Sequence, residues 1–244
     1  MSVSHGRSSA ASDAAMIGEG VAVVIGSSGG IGAALLQALK ASGGYRDVVG
    51  FSRAGTAGFD ITDEASLRSA AVSLGSAVPL LVINATGFLH DGKQRPEKSW
   101  RDLDPAQMAR AFALNAIGPA LIMKHFLPLL PVERLSVFAT LSAKVGSIGD
   151  NRLGGWYSYR ASKAALNQLV HTAAIELARS RPEAICVAVH PGTVATPLSA
   201  PFAKAGLQVR DASTAARELL KVLARLTPAD SGGFFDHKGQ ALPW

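Results

Sequence analysis

The 244-residue chain contains a single cysteine, Cys186, set in the apolar run ICVAV. One thiol excludes an intrachain disulfide and a cysteine zinc site, its apolar setting predicts a buried, inert side chain, and such sparing use fits a reducing cytoplasm. Long apolar runs are also missing: none approaches the roughly 18 residues that span a bilayer, so no membrane segment is expected. Charged residues make up only 17% of the chain, against 48% hydrophobic, which is ample for a core. The formal net charge of +6 is spread along the chain without a basic stripe, which argues against nucleic acid and leaves an anionic small molecule as the better partner. The opening MSVSHGRSSAASDAAMIGEG lacks a continuous apolar segment and so is not a secretory signal. Residues 1–19 read as a flexible tail and 20–244 as one domain, a size common for single α/β units.

What the chain does have is alternation. Short runs apolar on both faces, at 21–25, 47–51, 80–84, 135–140 and 184–189, are the expected strands. Between them, helical periodicity predicts helices at about 30–42, 63–74, 104–130, 157–179 and 211–226. Asp104 before Pro105 and Asp211 before STAARELL are helix start signals. The pattern predicts a single-domain Rossmann-type α/β fold, a doubly wound parallel sheet with helices on both faces. In such a sheet ligands bind at the carboxyl ends of the strands, where the irregular segments 86–103, 143–156 and 193–210 fall.

VVIGSSGGIGAALLQAL places Gly26, Gly30 and Gly32 between the first strand and the first helix. Glycines there permit a tight turn and let backbone N–H groups approach a pyrophosphate at the helix N-terminus, so a dinucleotide is expected. The second strand ends in GFSRAG, with Ser52 and Arg53 where a carboxylate would bind the adenosine ribose of NAD(H). Without that carboxylate a 2′-phosphate meets no repulsion, and a guanidinium can bind it by forked hydrogen bonds, which favours NADP(H) over NAD(H). In YSYRASK (157–163), Tyr159 stands four residues before Lys163, one helical turn away on the same face, whereas Tyr157 does not. An ammonium beside a phenol stabilises phenolate and is expected to bring its pKa down toward a useful range.

The G-x-x-x-G-x-G spacing and the Tyr-Lys pair resemble the short-chain dehydrogenase/reductase superfamily, and the resemblance covers roughly residues 20–244. It implies an oxidoreductase acting on a carbonyl or the corresponding alcohol, with Tyr159 as proton donor and Lys163 both tuning it and holding the nicotinamide ribose. It further implies cofactor contacts from Ser28 and Ile31 in the glycine turn, from Asp60 and Ile61 in FDITD, and from Asn84 and Ala85 in INATG. Ile83 and Thr86 depart there from the usual NNAG, and Asp60 could instead cap a helix. Pro191, Gly192, Val194 and Thr196 match the loop that binds the nicotinamide carboxamide, and Asn115 matches the asparagine that holds a relay water, a catalytic role expected for it in preference to that of a core amide at a kink. The catalytic serine is open. Laid down without a gap, TLSAKVG matches Ser142 to the first serine of a pair and Ala143 to the catalytic second, and Ser147 is a further candidate; Ser142 is taken as the best.

The long interval GSIGDNRLGGW before the tyrosine, with the ending FFDHKGQALPW, resembles the branch of C-factor-like signalling proteins and sniffer-like carbonyl reductases. Two functions follow from that branch: a cytoplasmic NADP(H)-dependent carbonyl reductase, or a cofactor-binding signalling protein with little turnover. A homodimer or homotetramer is the expected assembly.

Overall fold

The computed structural model describes residues 20–91, 95–202 and 209–244; the expected tail and parts of the irregular segments 86–103 and 193–210 lie outside them. The five expected strands form, as β1 (Val21–Ile25), β2 (Asp47–Phe51), β3 (Pro79–Asn84), β4 (Ser136–Leu141) and β5 (Ala184–His190). A sixth, β6 (Phe234–Asp236), follows them. All pair in parallel in the order β2-β1-β3-β4-β5-β6. β6 was missed because three residues in a glycine-flanked tail carry no period of their own, and pairing with Ala188–His190 is what makes them a strand.

Alternation along each strand feeds two cores. In β1, Val21, Val23 and Ile25 pack toward one helix layer, while Ala22 and Val24 pack toward the other. The second layer consists of α1 (Gly30–Ser42), bringing Leu35 and Leu39, and α6 (Ala212–Leu223), bringing Leu219 and Leu223. The first layer holds α2 (Glu64–Val72), the helical segment from residue 105 onward, and α5 (Tyr157–Ala178). Cys186 is fully buried in it, and burial pushes its thiol pKa up to about 12, in keeping with an inert side chain.

The helix expected at 104–130 is interrupted. It runs as α3 (Pro105–Phe112), a π-helical turn at Ala113–Ile117 and α4 (Gly118–Phe126), closing with a short 3-10 turn. Asp104 caps it, accepting from Gln107 N at 2.7 Å, with Pro105 in the first turn. As a whole, Pro105–Leu129 is long and apolar enough to cross a membrane, but it lies packed against α2 and α5. The π turn carries Asn115, which is fully buried, and such turns gather at functional sites.

The strand order reverses between β1 and β3, since the chain leaves β1 for β2 on one side and returns to β3 on the other. A crevice opens there at the carboxyl ends of the strands.

Candidate active site

At the nucleotide end of the crevice the turn after β1 is built by backbone. Gly26 has φ +85°, a conformation open to glycine but strained for other residues, and a Cβ on Gly32 would stand 2.1 Å from the Gly26 carbonyl oxygen. The first helical turn of α1 has no side-chain cap, so its N–H groups are left for an anionic ligand. A cavity of about 570 Å³ opens beside this turn, lined among others by Gly26, Ser28, Ser52, Arg53, Asp60, Ile61 and Ala85. Ser52 is buried and accepts from Gly55 N at 3.0 Å, which folds the chain back and leaves Arg53 exposed at the rim. Asp60 accepts from Thr62 N at 2.8 Å and from Thr62 Oγ1 at 2.7 Å, and these bonds lower its pKa. It is not the cap of α2; Asp63 fills that place by accepting from Ala65 N.

The reaction end is a second cavity of about 420 Å³, which shares Ser28, Ala85, Thr86 and His90 with the first. Gly30, Ile31, Ser142, Tyr159, Lys163, Pro191 and Thr196 line it, so α5 delivers its tyrosine and lysine to the same space as the glycine turn. Lys163 Nζ donates to the Leu141 carbonyl at 2.8 Å and lies 6.0 Å from the Tyr159 ring centroid. Burial lowers the Lys163 pKa to about 8 and pushes that of Tyr159 up to about 12. The expected depression of the phenol pKa is therefore not found. The ammonium is bonded to a carbonyl and not to the phenol oxygen, and withdrawing phenolate from water outweighs the attraction that remains.

Asn115 pins the loop after β3. Its Oδ1 accepts from Phe88 N at 2.7 Å, and its Nδ2 donates to Phe88 O at 2.8 Å and to Ser162 Oγ at 3.1 Å. Asn84 does similar work one step earlier: its Nδ2 donates to Thr140 Oγ1 at 2.9 Å, while its Oδ1 accepts from Thr86 N and Thr86 Oγ1. The departure from NNAG at Thr86 thus gives a hydroxyl that closes the turn. Gly32, Asn84, Asn115, Gly192 and Val194 do not line either cavity and support the residues that do. Val194 is bridged to Arg210, whose guanidinium donates to the Pro191 carbonyl at 3.0 Å and pairs with Glu218 at 2.7 Å, fastening the stem of the loop after β5.

Of the three serine-site candidates, Ser142 borders the tyrosine cavity, but its hydroxyl donates to Asn167 Oδ1 at 2.6 Å. Ala143 has no group to offer, and Ser147 is turned to the C-terminus, donating to the Trp244 carbonyl at 3.3 Å. Sequence reasoning missed His90, which reaches the cavity from the irregular segment after β3, with Nε2 3.1 Å from the Leu198 carbonyl. Its loop was marked as site-building, but no local pattern singled out the histidine.

The sequence matches the family model described as Enoyl-(Acyl carrier protein) reductase over residues 10–230. The chain belongs to the short-chain dehydrogenase/reductase family. It is an oxidoreductase of that family. Among its short-chain dehydrogenase/reductase relatives it is 40% identical over 144 residues to C-signal of Myxococcus xanthus, a match covering 59% of this chain and 82% of the relative. It is 31% identical to 1-hydroxy-2-glutathionyl-2-methyl-3-butene dehydrogenase of a Rhodococcus species, over 77% of this chain and 79% of the relative. Among solved structures, NADPH-bound carbonyl reductase from chicken fatty liver superposes with a TM-score of 0.81 at 26% identity, covering 95% of this chain and 97% of that one.

Proposed function

We propose that the chain is an NADP(H)-dependent carbonyl reductase, able to run in reverse as an alcohol dehydrogenase. The observation that carries this reading is the convergence of Tyr159 and Lys163 with the glycine turn on one cavity. The residues present fit the cofactor: the uncapped N-terminus of α1 suits a pyrophosphate, Arg53 at the rim suits a 2′-phosphate, and Lys163 reaches the space for a ribose. The presence of NADPH in the chicken enzyme supports the choice of NADP(H). When bound, the nicotinamide supplies or accepts the hydride.

The protein's own groups handle the oxygen. Tyr159, with its pKa raised to about 12, keeps its proton until the carbonyl oxygen takes on alkoxide character, and then donates it. Lys163 remains mostly protonated at neutral pH, since its pKa lies near 8, and its charge favours that developing anion. Because the Ser142 proton is given to Asn167, Tyr159 is the main donor to the substrate oxygen and Ser142 a neighbour of the pocket. Asn115 holds Phe88, which lines the adjoining nucleotide cavity, and bonds Ser162 beside Lys163.

Ile117 and Ile175 are 54% and 52% exposed on the long helices, which supports a homodimer or homotetramer, checked by light scattering of the purified chain. The buried single cysteine supports a cytoplasmic setting. Likeness to C-signal favours a second reading, cofactor binding with little turnover. One assay separates them: NADPH oxidation against a panel of aldehydes and ketones, with Tyr159→Phe as control. Turnover abolished in the variant supports the reductase; tight NADPH binding with no turnover above the control overturns it.

A further inference from the structure

Three successive residues before α5 adopt left-handed backbone: Gly154 and Gly155 at φ 63°, then Trp156 at φ 55°. Trp156 is the one non-glycine with positive φ among the described residues. The glycines accept this conformation freely, but an indole there is strained, and strain of this kind persists where surrounding contacts enforce it. The contacts come from Glu97, more than fifty positions earlier. Its backbone carbonyl accepts from Trp156 N at 2.5 Å. Its buried carboxylate accepts from Ser158 N at 3.2 Å and from the Ser158 hydroxyl. α5 has no capping side chain of its own, so Glu97 fastens both the strained residue and the first turn that carries Tyr159.

The strained backbone sets the indole against the ring of Tyr159, beside the tyrosine cavity, whose lining includes Tyr159 and His90 but neither Trp156 nor Phe202. The Trp156 ring meets the Tyr159 ring edge-on at 6.1 Å between centroids and the Phe202 ring at 5.1 Å, and Phe202 meets His90 at 5.3 Å. Four rings from three segments thus stand in a chain of edge contacts that runs from the catalytic tyrosine through the loop after β5 to the loop after β3. Among the described residues lining the tyrosine cavity, Lys163 is the one carrying a full charge, and it serves the cofactor and the tyrosine. An anionic substrate would find no second cation among them, whereas a flat apolar group would find the rings of Tyr159 and His90, flanked by those of Trp156 and Phe202.

On the reading that the chain is a reductase, we infer that Trp156 is its specificity-determining residue, selecting carbonyl compounds with a neutral, ring-sized apolar substituent, and that Glu97 is the positioning residue that holds it. The strain is retained because glycine, which would fit the backbone better, would remove the ring that flanks the tyrosine.

The test compares kcat/KM with NADPH for benzaldehyde and acetaldehyde, in the full chain and in its variants. Alongside it, calorimetry measures the affinity of benzamide, which is not reduced, for the chain with NADP+. The wild-type protein is expected to prefer benzaldehyde by at least about tenfold, the scale of one or two aromatic contacts. Trp156→Gly should lower that ratio by about tenfold and weaken benzamide to a similar degree, without lowering Tm, since glycine relieves the strain. Glu97→Ala should shift the ratio in the same direction, and Glu97→Gln should restore most of it, because an amide oxygen still accepts from Ser158 N. Should Trp156→Gly fold poorly, Phe202→Ala removes the facing ring and is expected to lower the ratio as well.

An unchanged ratio in Trp156→Gly and Phe202→Ala overturns the inference while leaving the reductase reading intact. Benzamide binding that depends on Trp156, in a protein that reduces no carbonyl, overturns the reductase reading and supports recognition of the ring. A Tm loss in Trp156→Gly with no change in ratio or in benzamide affinity shows the indole to be structural and also overturns the inference.

Discussion

The two ends of the crevice are built by opposite means. At the nucleotide end the contacts come from contiguous backbone, a glycine turn feeding an uncapped helix, with Arg53 at an exposed rim. At the reaction end they come from side chains brought from distant segments and locked by hydrogen bonds such as Asn115 to Ser162 and Lys163 to Leu141. A phosphate needs many N–H donors near water, which one turn can supply. Proton transfer needs two or three groups held dry and in register, which no single segment can hold. Damage at one end should therefore show in cofactor affinity, and damage at the other in turnover.

The strongest test of that division is Tyr159→Phe. Removing the phenol proton should lower kcat by about a thousandfold, within the range for general acid catalysis, while the NADPH dissociation constant measured by fluorescence changes little. Asn115→Ala comes next: leaving the Phe88 N–H and carbonyl unpaired should cost about 2 kcal/mol, read as a lower denaturant midpoint, and lower kcat as the loop relaxes. At the other end, Arg53→Ala should weaken NADPH by about tenfold through loss of a charge-assisted contact, with NADH affinity and kcat held; equal loss for both cofactors would remove the phosphate role. A pH–rate profile probes Lys163: burial sets its pKa near 8, so the ammonium is present below that pH and lost above it, and reductive turnover should decline as pH climbs through about 8. The smallest effect expected is from Ser142→Ala. Its hydroxyl serves Asn167, so turnover should fall by less than about tenfold, well short of the roughly hundredfold of an oxyanion donor.

The same division governs how much could be read from the chain. The glycine turn, Ser52-Arg53 and the Tyr159–Lys163 spacing are local patterns, and of their residues Gly26, Gly30, Ser52, Arg53, Tyr159 and Lys163 line the two cavities. The serine could not be resolved, because a one-residue choice between Ser142 and Ala143 depends on where Asn167 of α5 packs against the strand end. His90, Glu97 and Trp156 were not seen as a group. Their relation is set by the fold of two irregular loops, where no period connects residues far apart in sequence.

The helix expected at 104–130 shows how far period alone reaches. Its apolar pattern predicted helix throughout, and helix of some kind does run through it, but the π turn at Ala113–Ile117 is not visible in the pattern. That turn coincides with Asn115 bonding the backbone of Phe88, a contact made across 27 positions.

By itself the sequence determined the alternation of strands and helices, the parallel sheet, the turn for a dinucleotide and the tyrosine–lysine pair, because each depends on period or spacing within a few residues. Tertiary structure alone decided the sixth strand, the partner of Ser142, the pinning of Phe88 and the strained Trp156 held by Glu97. It also reversed the direction of the Tyr159 shift. Sequence shows which charges neighbour a group, but only the packed structure shows how much water the group has lost, and here that loss dominates.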